Sequence, residues 1–135
     1  MRAGYLYLIP CRELLGAVCL REAAVPPSPG NDVGVIVHFQ DLDAAAMHFH
    51  AGLRRQLLDL DRKAYRAEMV EAAAVLDAIE LRHQCTYLAP EVATSPALAA
   101  ATDRLRRKHL LVRRIFDVAG ILGLLLLLYT ALLPF

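Results

Sequence analysis

The chain has 135 residues, is 57% hydrophobic and carries a formal net charge of +1. Outside an apolar run at its C-terminus, residues 1–114 suffice for one small domain, not two. A charge so close to zero excludes binding to nucleic acid by bulk electrostatics.

Residues 5–9, YLYLI, read as a short strand stopped by Pro10. Residues 33–39, VGVIVHF, read as a second, because Val33, Val35, Val37 and Phe39 alternate onto one face. Between them, CRELLGAVCLREAA has a helical pattern with Leu14, Leu15, Val18 and Cys19 on one side, and VPPSPGND is a loop. The two strands pair either in parallel, through a helical crossover, or antiparallel. Residues 1–40 thus form a small two-stranded α+β head. Two strands are marginal in water, so this head needs a cover. Three cysteines, Cys11, Cys19 and Cys85, are an odd number with no CxxC, which points to reduced thiols in a cytosolic compartment. Arg12 and Glu13 interrupt the N-terminal apolar stretch, so it does not read as a leader.

Asp41 is placed to cap the next element. From Leu42 to Leu88 there is no proline and one glycine, Gly52. Apolar residues recur at spacings of three and four from Leu42 through Leu53, Leu60 and Leu76 to Ile79. The spacing predicts a cytoplasmic helix over residues 41–89, or two helices with a kink where the seam shifts near Ala64 and Tyr65; at full length it would be roughly 70 Å long. Ala89 before Pro90 ends it, and residues 90–95 form a turn. Ser95 and Pro96 then start a second long helix, antiparallel to the first. It comprises a basic juxtamembrane part, 96–114, and a transmembrane part, 115–135. The expected fold is therefore mostly α: a long antiparallel helical hairpin with a small head and a C-terminal transmembrane helix.

The terminal run IFDVAGILGLLLLLYTALLPF has one charge, Asp117. Its length matches the roughly 30 Å hydrocarbon core of a bilayer. Arg106, Arg107, Lys108, Arg113 and Arg114 crowd the polar side of it, where they would meet lipid headgroups. The positive-inside rule then keeps the N-terminus cytoplasmic, giving single-pass, tail-anchor topology. An Ala-rich chain whose cations are mostly Arg suits a GC-rich bacterial genome, and the membrane would be the plasma (inner) one. Asp117 pairs with Arg113, four residues earlier. A heptad of Leu98, Leu105, Val112 and Ala119, interleaved with Phe116 and Gly123, runs from water into lipid. Ala119 and Gly123 form a small-xxx-small pair suited to helix contact.

No catalytic signature is present. Ser28 and Ser95 are the only serines, and no nucleophile elbow, Walker A or dinucleotide motif occurs. His48 and His50 diverge on a helix, as would His83 and Cys85, and neither they nor His38 gain a third ligand, so no metal or cofactor is expected. Arg54, Arg55, Asp59, Arg62, Lys63 and Arg66 read as a solvated helix face. The expected function is a non-enzymatic accessory or scaffold subunit that contacts the bilayer and either other membrane subunits or itself, with no nucleic-acid partner. The alternatives are a membrane-permeabilising effector and a small metal- or haem-binding sensor.

Overall fold

The computed structural model describes residues 1–30 and 32–132. Its centre is a six-stranded, wholly antiparallel sheet in the order β4-β5-β2-β1-β3-β6. This overturns the mostly helical hairpin with a two-stranded head. The elements are β1 (Gly4–Pro10), β2 (Val18–Ala23), β3 (Val35–Phe39), α1 (Leu42–Gly52), β4 (Leu57–Asp59) and β5 (Ala64–Tyr65). They are followed by α2 (Met69–Asp77), β6 (His83–Leu88), α3 (Pro90–Ala93) and α4 (Pro96–Leu132).

β1 and β3 form where alternation predicts them, and they pair antiparallel, Leu6 opposite Val37 and Leu8 opposite Val35. With Phe39 these side chains are fully buried on one face. Tyr5, Tyr7 and Ile9 lie half-buried on the other face. The helices cover only the Leu6/Leu8 face, so the molecule is a two-layer sandwich with one open sheet face.

The segment predicted as a helix after Pro10 is a hairpin instead. Gly16 turns the chain at φ +75, a conformation that costs an ordinary residue a Cβ clash. The Cys11 N–H donates to the Ala17 carbonyl at 2.9 Å, and β2 returns beside β1 with Leu20 opposite Leu8. Leu15 is consequently in solvent while Val18 and Leu20 are buried. Cys11 and Cys19 meet across this hairpin and are joined as a disulfide, which corrects the reading of three reduced thiols.

The long helix predicted over 41–89 is also absent. Asp41 does cap α1, its Oδ1 accepting from the Ala44 N–H at 3.2 Å, but α1 stops at Gly52. A 3-10 turn at Arg54–Gln56 leads into the β4–β5 hairpin. Asp59 builds that turn: its Oδ1 accepts from the N–H groups of Asp61 (3.0 Å) and Arg62 (3.3 Å), and Lys63 takes a positive φ of 51. α2 then restores the helical layer with Ala72 to Leu76 buried. β6 adds to the open edge of β3, with a bulge opposite Ile36/Val37. Thr86 fills the bulge by donating its hydroxyl to the Ile36 carbonyl at 3.2 Å. A bulged, polar outer strand also discourages edge pairing. The predicted turn at 90–95 contains the single helical turn α3.

Candidate membrane-proximal interface

α4 begins at Pro96, as the sequence predicts, and runs unbroken to Leu132. Its 37 residues correspond to about 55 Å. The first part packs chiefly against α2. Leu98 and Leu105 join the core, and Thr102 is buried. The remainder leaves the domain altogether. From Ile115 to Leu132 nothing is buried, with Phe116 at 72% exposure and Leu127 at 70%. An 18-residue window here has a mean hydropathy of 2.2, and among the described residues this is the one helix long and apolar enough to cross a membrane. The last residues of the predicted span, 133–135, lie outside the described residues.

The seam predicted from Leu98 to Gly123 therefore has two fates. Leu98 and Leu105 are occupied by the domain's own core. Val112 lines a groove, and Phe116, Ala119 and Gly123 lie on bare helix, with open space around Gly120 and Gly123. The basic residues divide as well. Arg106 turns back to Asp77 (3.6 Å), which also approaches His83 Nε2 (3.5 Å), so this cation ties α4 to α2 and β6. Arg107 and Arg114 are exposed. Lys108 and Arg113 are exposed too, but line the groove. The predicted Arg113–Asp117 pair does not form; among the described residues Asp117 makes no ion pair.

The groove lies between α4 and the α1–α2 layer, in two contiguous parts. The upper part, about 660 Å³, gathers Arg54, Arg55, Arg104 and Lys108. The lower part, about 600 Å³, adds His48, His109 and Arg113 beside Ile79 and Val112. Both share Ala51, Gly52, Val75, Leu105 and Lys108. Small side chains at Ala51 and Gly52 leave the groove open. A Cβ on Gly52 would sit 2.7 Å from Val75 Cγ1, so α1 reaches α2 here only because this residue has none. The upper part holds one acid, Glu71, whose Oε1 accepts from Gln56 Nε2 at 3.0 Å. Arg54, Arg55, Arg104 and Lys108 have no carboxylate partner among the described residues, as is also true of Arg21, Arg66, Arg82, Arg107, Arg113 and Arg114, whereas Arg2, Arg12, Arg62, Lys63 and Arg106 do have one. Sequence reasoning placed Arg54 and Arg55 on a solvated helix face. Gly52 and the Asp59 turn were the signals that could have moved them.

The polar residues elsewhere are engaged in the packing of the head. His38 packs edge-on against Tyr5, His50 Nδ1 shares a hydrogen bond with the Tyr65 hydroxyl (3.1 Å), and His83 Nδ1 donates to the Leu81 carbonyl (2.7 Å). Among the described residues no three metal-ligating side chains converge. His83 and Cys85 sit on a strand rather than a helix, which removes the angular argument for separating them. The Cys85 thiol, however, is pushed up, first by burial and then by Asp77, against a smaller lowering by its bond to the Tyr87 carbonyl. A raised thiol is a poor nucleophile near neutral pH. Burial likewise raises the Tyr65 phenol. Comparison of the chain with known protein families, with curated proteins and with solved structures finds no match in any of the three.

Proposed function

We propose that this protein is a non-enzymatic, membrane-anchored assembly subunit. In this reading α4 crosses the bilayer once, the α+β head sits on the cytoplasmic side, and the bare Phe116/Ala119/Gly123 face packs against a second helix. The observation that carries it is the continuity of α4, whose first turns belong to the head's core and whose last turns are wholly exposed and apolar. No loop intervenes, so the head is held rigidly against its anchor. Water does not tolerate so large an apolar surface, and lipid or another helix must cover it.

Polarity within the bare stretch favours an anchor over a pore. Thr130 donates its hydroxyl to the Leu127 carbonyl at 2.9 Å, inside its own helix. Between Ile115 and Leu132 this leaves Asp117 and Tyr129 as the polar side chains free to point outward, which is no polar stripe. Six cations from Arg104 to Arg114 favour a cytoplasmic head. The Cys11–Cys19 bond weighs the other way, because disulfides persist mainly in oxidising compartments. With the head on the side the six cations favour, the Cys11–Cys19 bond exchanges with the glutathione pool.

Two differently tagged copies, or one copy and its partner subunit, should co-purify from mild detergent. Ala119→Leu with Gly123→Leu should abolish that association and leave membrane insertion intact. A wild-type chain that is monomeric and co-purifies with nothing would contradict the assembly role.

A further inference from the structure

We propose that the groove between α4 and the α1–α2 layer is a binding site for the headgroup of an anionic phospholipid. This rests on the reading that α4 spans the bilayer. It goes further by replacing a diffuse basic belt with one site that uses only some of the cations and recruits residues from outside α4.

Charge comes first. Arg54, Arg55, Arg104 and Lys108 converge on the upper groove and carry no carboxylate partner among the described residues, while its single acid, Glu71, is engaged by Gln56. These four side chains are exposed to water, and gathered in one groove they can be bridged by a phosphate, which supplies several acceptor oxygens at once. Shape comes second. The lower groove keeps Val75 and Leu105 and adds Ala78, Ile79 and Val112 toward the membrane, beside His109, Arg113 and one exposed acid, Glu80. That sequence of polar mouth and apolar exit fits an amphiphile, not a free anion.

Depth comes third. Counted along the helix, Arg113 lies about 3 Å and Lys108 about 10 Å outside the start of the apolar run at Ile115. The headgroup layer of a bilayer is about 5–7 Å thick on each side. Arg113 therefore stands within it, and the long Lys108 side chain, common to both parts of the groove, can snorkel down to it. Arg104, about 16 Å out on the same count, forms the outer rim with Arg54 and Arg55, above the headgroup layer, and these three engage only a headgroup drawn up from the leaflet along the groove. Arg107 and Arg114 lie on the same helix, equally cationic, but line neither part.

That difference supplies the test. The full-length protein is embedded in neutral phosphatidylcholine vesicles with or without phosphatidylglycerol, then extracted in mild detergent, and its retained lipid is counted by native mass spectrometry. The wild type should retain phosphatidylglycerol in preference to phosphatidylcholine. Arg104→Gln with Lys108→Gln should lower that retention at least about fivefold, as should Arg54→Gln with Arg55→Gln, which leaves α4 untouched. Arg107→Gln with Arg114→Gln removes the same charge and should lower it by less than about twofold. Equal losses from the two α4 double variants would overturn the site in favour of a bulk basic belt. Displacement of the lipid by millimolar inorganic phosphate would overturn the lipid assignment. Failure of the wild type to enter either vesicle would instead contradict the span itself.

Discussion

The two halves of α4 are one helix in two solvents. Residues near Leu98, Thr102 and Leu105 are packed onto α2, with polar and charged neighbours facing water. Residues from Ile115 to Leu132 present leucine on every side and touch nothing. In the first half the apolar positions form a stripe because only one side meets a core. In the second the stripe widens into a complete sheath, as a helix requires when its whole circumference meets hydrocarbon. Backbone hydrogen bonding is the same in both. What changes is which side chains the surroundings reward. The basic groove falls at the changeover, where the head still borders the helix and the bilayer would begin.

The strongest contrast between the halves comes from one substitution made twice. Phe49 is fully buried and packs edge-on against Tyr65, with ring centroids 5.3 Å apart. Phe49→Ala should destabilise the head by about 3–5 kcal/mol in urea unfolding. Phe116→Ala, on the bare stretch, should leave that midpoint unchanged and reduce helix association instead. A large loss of head stability from Phe116→Ala would mean that the lower half folds back onto the domain.

Next in size is the hairpin clamp. Cys11 and Cys19 are separated by 8 residues. Closing so short a loop stabilises by about 2.5 kcal/mol through the unfolded chain. Reductant should lower the head's urea midpoint accordingly and leave membrane retention of α4 as it was. An unchanged midpoint would show that the bond contributes nothing to the head.

The smallest effect concerns Thr102, buried in the packed half with its hydroxyl unpartnered among the described residues. Thr102→Val keeps the shape and removes the unsatisfied group, so it should raise stability by about 1 kcal/mol. Destabilisation would reveal a partner for that oxygen.

Much of α4 was legible because one local rule operates over its whole length. Pro96 starts it, and no later residue to Leu132 breaks it. β1 and β3 were legible from alternation, and the α1 cap from Asp41. The middle of the chain was not, and the reason is physical. Leu42, Phe49, Leu53, Tyr65, Leu76 and Ile79 are all buried in one core, but they arrive there from two helices, a hairpin and a loop. Spacings of three and four along the chain reported that shared destination and imitated a single helix. Asp59 decides the matter locally, since a side chain that bonds two following N–H groups stabilises a turn over a helix. β6 depends on the open edge of β3, which no local pattern reports. The disulfide likewise depends on the β1–β2 register, and eight residues of separation are no motif. The candidate site was half legible: Lys108 and Arg113 were placed near lipid, whereas Arg54 and Arg55 join them only through the β4–β5 hairpin that ended the supposed helix.

The division of α4 is tested most directly by urea unfolding of the chain cut after Arg114 beside the chain cut after Ser95, both in detergent-free buffer. The longer piece keeps Leu98, Thr102 and Leu105 over α2 and loses the apolar sheath. It should be soluble and unfold in one cooperative transition. The shorter piece uncovers α2 and should be less stable by about 3 kcal/mol, the order expected for exposing that much apolar side chain. Equal stability of the two pieces, or insolubility of the longer one, would contradict a helix that is core above Lys108 and membrane span below Arg114.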